Sequence, residues 1–233
     1  MPFCDASLKQ QNMKKAQSIL FDLDGTLLDT APDLVMALNG VLRAHDQSVL
    51  PLEVARPYVS RGARGLLQCG FGLSEDSPDY AAYVEEFLGL YRESLCEHTT
   101  LFDGMSALLD SLDEAKCLWG VVTNKAAGLT VPLLKEIQLF NRLHVLVSGD
   151  TLPEKKPSPR PLLYACNKAG MLPEETIYVG DDRRDIEAAN AAGMLSVAAR
   201  YGYYDVSDSP DNWGADIVIE HPGELGGLLE SLA

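Results

Sequence analysis

Short apolar runs rich in β-branched residues recur at 18–23, 118–123, 143–148, 176–180, 195–199 and 216–220, hydrophobic continuously rather than alternately. A strand that is polar on neither face has to be covered on both, which is the environment of a parallel sheet clad by helices. Segments of helical period fall between the runs, at 106–115, 126–137, 159–170, 182–192 and 223–232. Strand alternating with helix predicts an α/β fold built on a doubly wound parallel sheet.

The alternation breaks once, between 23 and 118, where no convincing strand occurs. Thr30-Ala31-Pro32-Asp33 is a helix-start signal, and Leu34, Leu38, Val41, Leu42 and His45 follow it at helical spacing. Tyr80, Tyr83, Val84, Phe87, Leu88, Tyr91 and Leu95 stripe a second helix and are expected to form the core of a small bundle. Between them, 54–67 reads as one or two short helices around a Ser60-Arg61-Gly62-Ala63-Arg64-Gly65 loop. The expected organisation is a catalytic core from 17–29 and 103–233, interrupted by an all-helical domain at 30–102 with hinges near 28–31 and 100–104. Residues 1–16 are polar, lack a signal-peptide core, and read as a disordered leader.

Composition narrows the function. With 233 residues, 46% of them hydrophobic, the chain can bury a sizeable core. No apolar run approaches the roughly 18 residues of a membrane helix. The net charge of −15 argues against general nucleic-acid binding, which needs a basic face. A small anionic substrate stays open, because a local cation outweighs the global field within a Debye length. Cys4, Cys69, Cys96, Cys117 and Cys166 form no Cys-x-x-Cys pair, which predicts a reducing, cytoplasmic compartment and no thiolate metal site. The sequence carries no signal for oligomeric state.

The chemistry concentrates at strand ends. The first strand runs into Phe21-Asp22-Leu23-Asp24-Gly25-Thr26. Ligands of open α/β sheets sit beyond the carboxyl ends of the strands, and period-two geometry sends Asp22 and Asp24 to one side. Two carboxylates so placed favour a bound cation or a shared proton, and hard oxygen ligands suit Mg²⁺. A second strand ends in Thr123-Asn124-Lys125, where a hydroxyl and backbone N–H groups suit a phosphate oxygen. Lys156 lies just ahead of a helix start at Ser158-Pro159. A fourth segment, Val179-Gly180-Asp181-Asp182-Arg183-Arg184-Asp185, again ends a buried strand in acid, with Asp182 read as the helix cap.

In this order and spacing the four segments resemble the motifs of the haloacid dehalogenase superfamily. Phe21-Asp22-Leu23-Asp24-Gly25-Thr26-Leu27-Leu28-Asp29-Thr30 and the stretch from Val179 through Asp185 to Gly193 carry most of the likeness. The helical insertion resembles the small C1-type cap of its phosphoglycolate phosphatase-like branch. Leu101-Phe102-Asp103-Gly104-Met105 and Asn212-Trp213-Gly214-Ala215-Asp216 are similar to a gamma-proteobacterial group of phosphoglycolate phosphatases, which includes N-acetylmuramic acid 6-phosphate phosphatases of peptidoglycan recycling.

The resemblance implies a Mg²⁺-dependent phosphatase acting on a small phosphorylated metabolite, with 2-phosphoglycolate first and N-acetylmuramic acid 6-phosphate as the alternative. It implies Asp22 as the nucleophile forming an aspartyl-phosphate and Asp24 as general acid and base. Thr123 and Asn124 would hold the phosphoryl group and Lys156 would neutralise it. The metal would be held by Asp22, the backbone carbonyl of Asp24, Asp181 and Asp185. Arg64 or Arg61 in the cap would read the substrate.

Rival activities in the superfamily are weaker. A dehalogenase needs no acid at Asp24, and a phosphonatase uses a cap lysine, whereas 34–101 contains none. A sugar phosphomutase shares both aspartates. A phospho-aspartate signalling module, the non-enzyme alternative, is about half this length and has no cap.

Overall fold

The computed structural model describes residues 16–205 and 207–226. The expected leader, except for Ala16, and most of the helix expected at 223–232 lie outside the described residues. In chain order the strands are β1 (Ser18–Phe21), β2 (Leu28–Asp29), β3 (Thr100–Leu101), β4 (Leu118–Val122), β5 (Val145–Val147), β6 (Thr176–Gly180), β7 (Leu195–Ala199) and β8 (Ile217–Ile219). Six of them form one parallel sheet in the order β5-β4-β1-β6-β7-β8.

Burial explains the sequence pattern. Along β1, Ile19 and Phe21 pack into one apolar cluster with Trp119, Val121 and Ile177, while Leu20 enters another with Val122, Tyr178 and Leu162. Both faces are therefore covered, and a fully buried side chain of this size stabilises by about 1.5–3 kcal/mol. Helices α5 (Met105–Glu114), α6 (Ala127–Glu136), α7 (Arg160–Ala169) and α8 (Arg183–Ala192) connect the strands. In α8 the small Ala188, Ala189 and Ala192 are buried, which lets it lie close to the sheet.

Between β2 and β3 the chain is helical: α1 (Ala31–Ala44), α2 (Leu52–Ala55), a 3₁₀ turn over Arg56–Arg61, α3 (Gly62–Phe71) and α4 (Tyr80–Glu93). These helices share an apolar cluster that includes Leu38, Val41, Leu66, Phe87 and Tyr91. The segments expected as hinges pair with each other, Leu28 opposite Leu101 and Asp29 opposite Thr100, in a two-stranded antiparallel ribbon. Asp33 seals the entry to α1. Its buried carboxylate accepts from the backbone N–H groups of His98 and Thr99, at 2.8 and 2.9 Å, and from Thr99 Oγ1 at 2.6 Å.

One local expectation is corrected, and one helix-start signal holds with an unexpected hydroxyl partner. The segment Ser60–Gly65 is not a loop, because the 3₁₀ turn passes at Gly62 directly into α3 and Arg64 is helical. Thr30 is the N-cap residue of α1, yet its hydroxyl makes no cap bond and donates instead to Asp24 Oδ1 at 2.7 Å. No helix among the described residues is long and apolar enough to cross a membrane.

Candidate active site

Three adjacent strand ends assemble the site. Asp22 follows β1, and its N–H continues the ladder to Val179 O at 2.9 Å. Thr123 follows β4, its N–H bonded to Val147 O of β5 at 2.9 Å. Asp181 follows β6, and Asp185 lies in the first turn of α8. The helix start is a reciprocal cap, in which Asp182 Oδ1 accepts from Arg184 N and Asp182 N donates to Asp185 Oδ2. Asp182 therefore caps the helix as expected.

Lys156 enters from the loop after β5 and is buried. Its Nζ stands 2.8 Å from Asp22 Oδ1 and 2.6 Å from Asp185 Oδ1, and donates to Val122 O and to Tyr178 Oη. Burial works against the ammonium, but the charges of Asp185 and Asp22 overcome it and hold the lysine above its ordinary pKa. Asn124 sets the backbone of this lysine. Its side-chain amide donates to Lys156 O at 3.1 Å, and its oxygen accepts from Lys156 N at 3.0 Å. The Asn124 side chain is thus occupied in placing Lys156, while Thr123 Oγ1 accepts from Lys125 N at 3.2 Å.

The acidic side of the site is only partly compensated, with three carboxylates to one lysine. Asp22, Asp181 and Asp185 each offer an oxygen within 4.8 Å of the others. Burial, then the charges of Asp22 and Asp185, raises the Asp181 carboxyl well above the ordinary range. Burial likewise pushes Asp185 up to about 7 against the pull of Lys156. Asp22 Oδ1 is buried, and its close polar partner is the Lys156 ammonium at 2.8 Å. Three clustered carboxylates that share a single lysine, with no nitrogen or sulfur ligand in the group, fit a hard divalent cation. The side-chain oxygens of Asp24 do not belong to this cluster.

The family model for haloacid dehalogenase-like hydrolases matches residues 19–199, a span running from β1 to the end of β7. The chain belongs to the haloacid dehalogenase-like hydrolases. It is 40% identical to an N-acetylmuramic acid 6-phosphate phosphatase of Pseudomonas aeruginosa, over 93% of this chain and 96% of that protein. It is 44% identical to a phosphoglycolate phosphatase of Xanthomonas campestris, over 91% and 96% respectively. Among solved structures it is similar to a predicted phosphoglycolate phosphatase from Haemophilus somnus. That match has a TM-score of 0.81 and 28% identity, and covers 92% of this chain and 98% of the other.

In this hydrolase a cavity of about 510 Å³ opens over the site, between the strand ends and the helices that follow β2. Asp22, Asp24, Thr123, Asn124, Lys156 and Asp185 line its floor. Arg61 and Arg64 line it from the 3₁₀ turn and α3, and Leu34, Val59, Phe87, Leu88 and Leu129 give it an apolar wall. Arg64 is half exposed and only loosely paired, 3.8 Å from Glu75. Arg61 lies 6.0 Å from the Tyr58 ring. Both arginines are therefore at hand for an incoming group.

Several residues of the site had no role in the sequence-based expectations. Ser60 Oγ donates to Asp181 Oδ2 at 2.9 Å, and Arg184 reaches across to Ser60 O at 2.7 Å. Tyr203 donates its N–H to the same Asp181 oxygen and its hydroxyl to Asp29 Oδ1, and accepts from Ala31 N. Lys125 bonds Asp24 and Tyr91. These contacts join residues far apart in sequence: Ser60, Arg184, Asp29, Tyr91 and Lys125 fell inside segments that the sequence singled out, but nothing in those segments pointed to these partners. Trp213 is structural, packing on Ile186 and Ala198 with its indole N–H bonded to Asp208 O.

Proposed function

We propose that the protein is a Mg²⁺-dependent phosphomonoester hydrolase working through an aspartyl-phosphate on Asp22. The observation that carries this reading is Asp22 itself. Its carboxylate lies at the end of the central strand, 2.8 Å from a buried lysine and grouped with two further buried carboxylates. A phosphoryl group carries its charge on equatorial oxygens, so alignment and positive charge are what catalysis must supply. When bound by Asp22, Asp181, Asp185 and the Asp24 carbonyl, Mg²⁺ supplies that charge beside Lys156. An Asp22 oxygen attacks phosphorus, the bond to the ester oxygen breaks, and Asp24 gives that oxygen a proton. Asp24 then takes a proton from the water that attacks the phosphoenzyme, and phosphate leaves Asp22. Thr123 Oγ1 and the Asn124 backbone N–H hold the phosphoryl oxygens. The helices over 30–102 act as a cap that excludes water and carries the specificity.

The substrate we assign is a phosphorylated carboxylic acid. The curated relatives named above are one phosphatase of 2-phosphoglycolate and one of N-acetylmuramic acid 6-phosphate, and both compounds carry a carboxylate beside the phosphate. Arg64 and Arg61 answer to that second anion. 2-Phosphoglycolate is the leading candidate. The amino-sugar phosphate is the second reading, favoured by a 510 Å³ cavity with an apolar wall, which is roomy for a two-carbon acid.

Phosphate release from the two compounds, compared by kcat/KM with Mg²⁺, tests the assignment. A tenfold preference for either, about 1.4 kcal/mol, names the substrate. Chelation of the metal should silence turnover and added Mg²⁺ restore it. Hydrolysis of neither compound overturns the substrate reading, and full activity in chelator overturns the metal-dependent mechanism.

A further inference from the structure

Lys125 is fixed at three points around its ammonium. Nζ donates to Asp24 Oδ1 at 2.9 Å and to Tyr91 Oη at 2.9 Å, and it stands 4.6 Å from the centre of the Tyr91 ring. Only 7% of its side chain is exposed. Lysine loses much rotamer freedom when held this way, and a surface ion pair does not repay that loss. The three partners also come from different parts of the chain. Asp24 follows β1, Lys125 follows β4, and Tyr91 sits fully buried on α4 in the helical segment.

The bonds around Asp24 are one-sided. Lys125 Nζ and Thr30 Oγ1, from the start of α1, both donate to Oδ1. Among the described residues no hydrogen bond reaches Oδ2. A carboxyl group gripped by one oxygen has its plane set and keeps the other oxygen available to carry a proton, the arrangement a proton donor requires.

We propose that Lys125 and Tyr91 are positioning residues for Asp24, a link by which the helical segment sets the acid that protonates the leaving group. This rests on the reading of Asp24 as the general acid. Neither residue was assigned a part in the reaction above. The link makes acid catalysis depend on α4 being seated: Tyr91 orients the ammonium, the ammonium orients Asp24, and Oδ2 then faces the ester oxygen across the cavity. A misplacement of about 1 Å in such a group costs on the order of a hundredfold in rate.

The test separates positioning from binding by leaving group. An alkyl phosphate expels a poor leaving group and needs the proton, whereas p-nitrophenyl phosphate expels a stable anion and does not. Because kcat/KM ends with departure of the leaving group, it reports only the step in which Asp24 is the acid. Asp24→Asn is the reference, and it should lose far more kcat/KM on 2-phosphoglycolate or another alkyl phosphate than on the aryl ester. Lys125→Met should show the same selective loss, about tenfold or more on the alkyl ester and within about threefold on the aryl ester. Tyr91→Phe, which deletes one hydroxyl and keeps the ring in the core, should show the same pattern more weakly. Adding Lys125→Met to Asp24→Asn should cost nothing further. If Asp24→Asn itself shows no leaving-group selectivity, the acid reading fails. If Asp24→Asn is selective but Lys125→Met and Tyr91→Phe lose equally on both esters, or lose nothing, the positioning link is overturned.

Discussion

Replacing Lys156 by methionine removes the cation between Asp22 and Asp185 and keeps most of the side-chain volume. At 2.8 and 2.6 Å, and with an effective dielectric near 20, each of those contacts is a Coulomb attraction of about 6 kcal/mol before desolvation. Exchanging a whole buried ion pair for apolar groups is often neutral, but removing one partner is not, because the carboxylates stay behind uncompensated. That one-sided loss is worth about 3–5 kcal/mol. For a chain of this length it lowers Tm by about 6–20 °C, measured by calorimetry in chelator. Val122 O and Tyr178 Oη each lose one donor as well, although they keep the 2.8 Å bond to each other. Mg²⁺ should then raise Tm more in the variant than in the parent, since the site it enters has become more negative and binding to the folded state stabilises it. Turnover should be lost with or without the ion. A variant as stable as the parent in chelator, or one that gains less from Mg²⁺ than the parent does, refutes the view of Lys156 as the charge that holds these carboxylates together.

Asp33→Ala leaves the N–H groups of His98 and Thr99 and the Thr99 hydroxyl without their acceptor. The cost should be about 2–4 kcal/mol, read from denaturant unfolding, and a change within 0.5 kcal/mol would show that water replaces the carboxylate freely. In Gly202→Ala the new Cβ would fall 2.3 Å from Asp181 Cβ and 2.3 Å from Gly25 O, so Asp181 must shift. Mg²⁺ affinity should drop about 10–100-fold by titration calorimetry, and unchanged affinity in a folded variant would contradict it. Arg64→Ala should alter the ratio between the preferred substrate and a generic aryl phosphate by about tenfold, the worth of a charge-assisted hydrogen bond. An equal loss on both substrates assigns the arginine to the fold instead.

The strands and acids of the site were legible because each is written locally. A run such as Ile177-Tyr178-Val179 states its own double burial, and the acid that follows it is delivered to the sheet edge by chain direction alone. Lys156 was legible only through the family likeness, since two adjacent lysines before a helix ordinarily face solvent. What stayed hidden depends on how the helical segment folds back. Ser60 meets Asp181, and Tyr91 meets Lys125, only after α1–α4 have packed over the strand ends. The glycines of Ser60–Gly65 read as loop formers, yet Gly65 is inside α3. A Cβ there would lie 2.4 Å from Tyr58 O, so the residue serves close approach rather than a turn. Thr30 carries the cap signal of a helix start, but the tertiary bond to Asp24 took its hydroxyl.

The central claim is that the phosphoryl group passes through Asp22. Acid quenching during turnover with Mg²⁺, followed by peptide mass spectrometry, tests it most directly. The account predicts a phosphoryl adduct on the peptide containing Asp22, labile to hydroxylamine and absent in Asp22→Asn, which is folded and inactive. Phosphate release at parental rate by pure Asp22→Asn, or an adduct on any other residue, would contradict it.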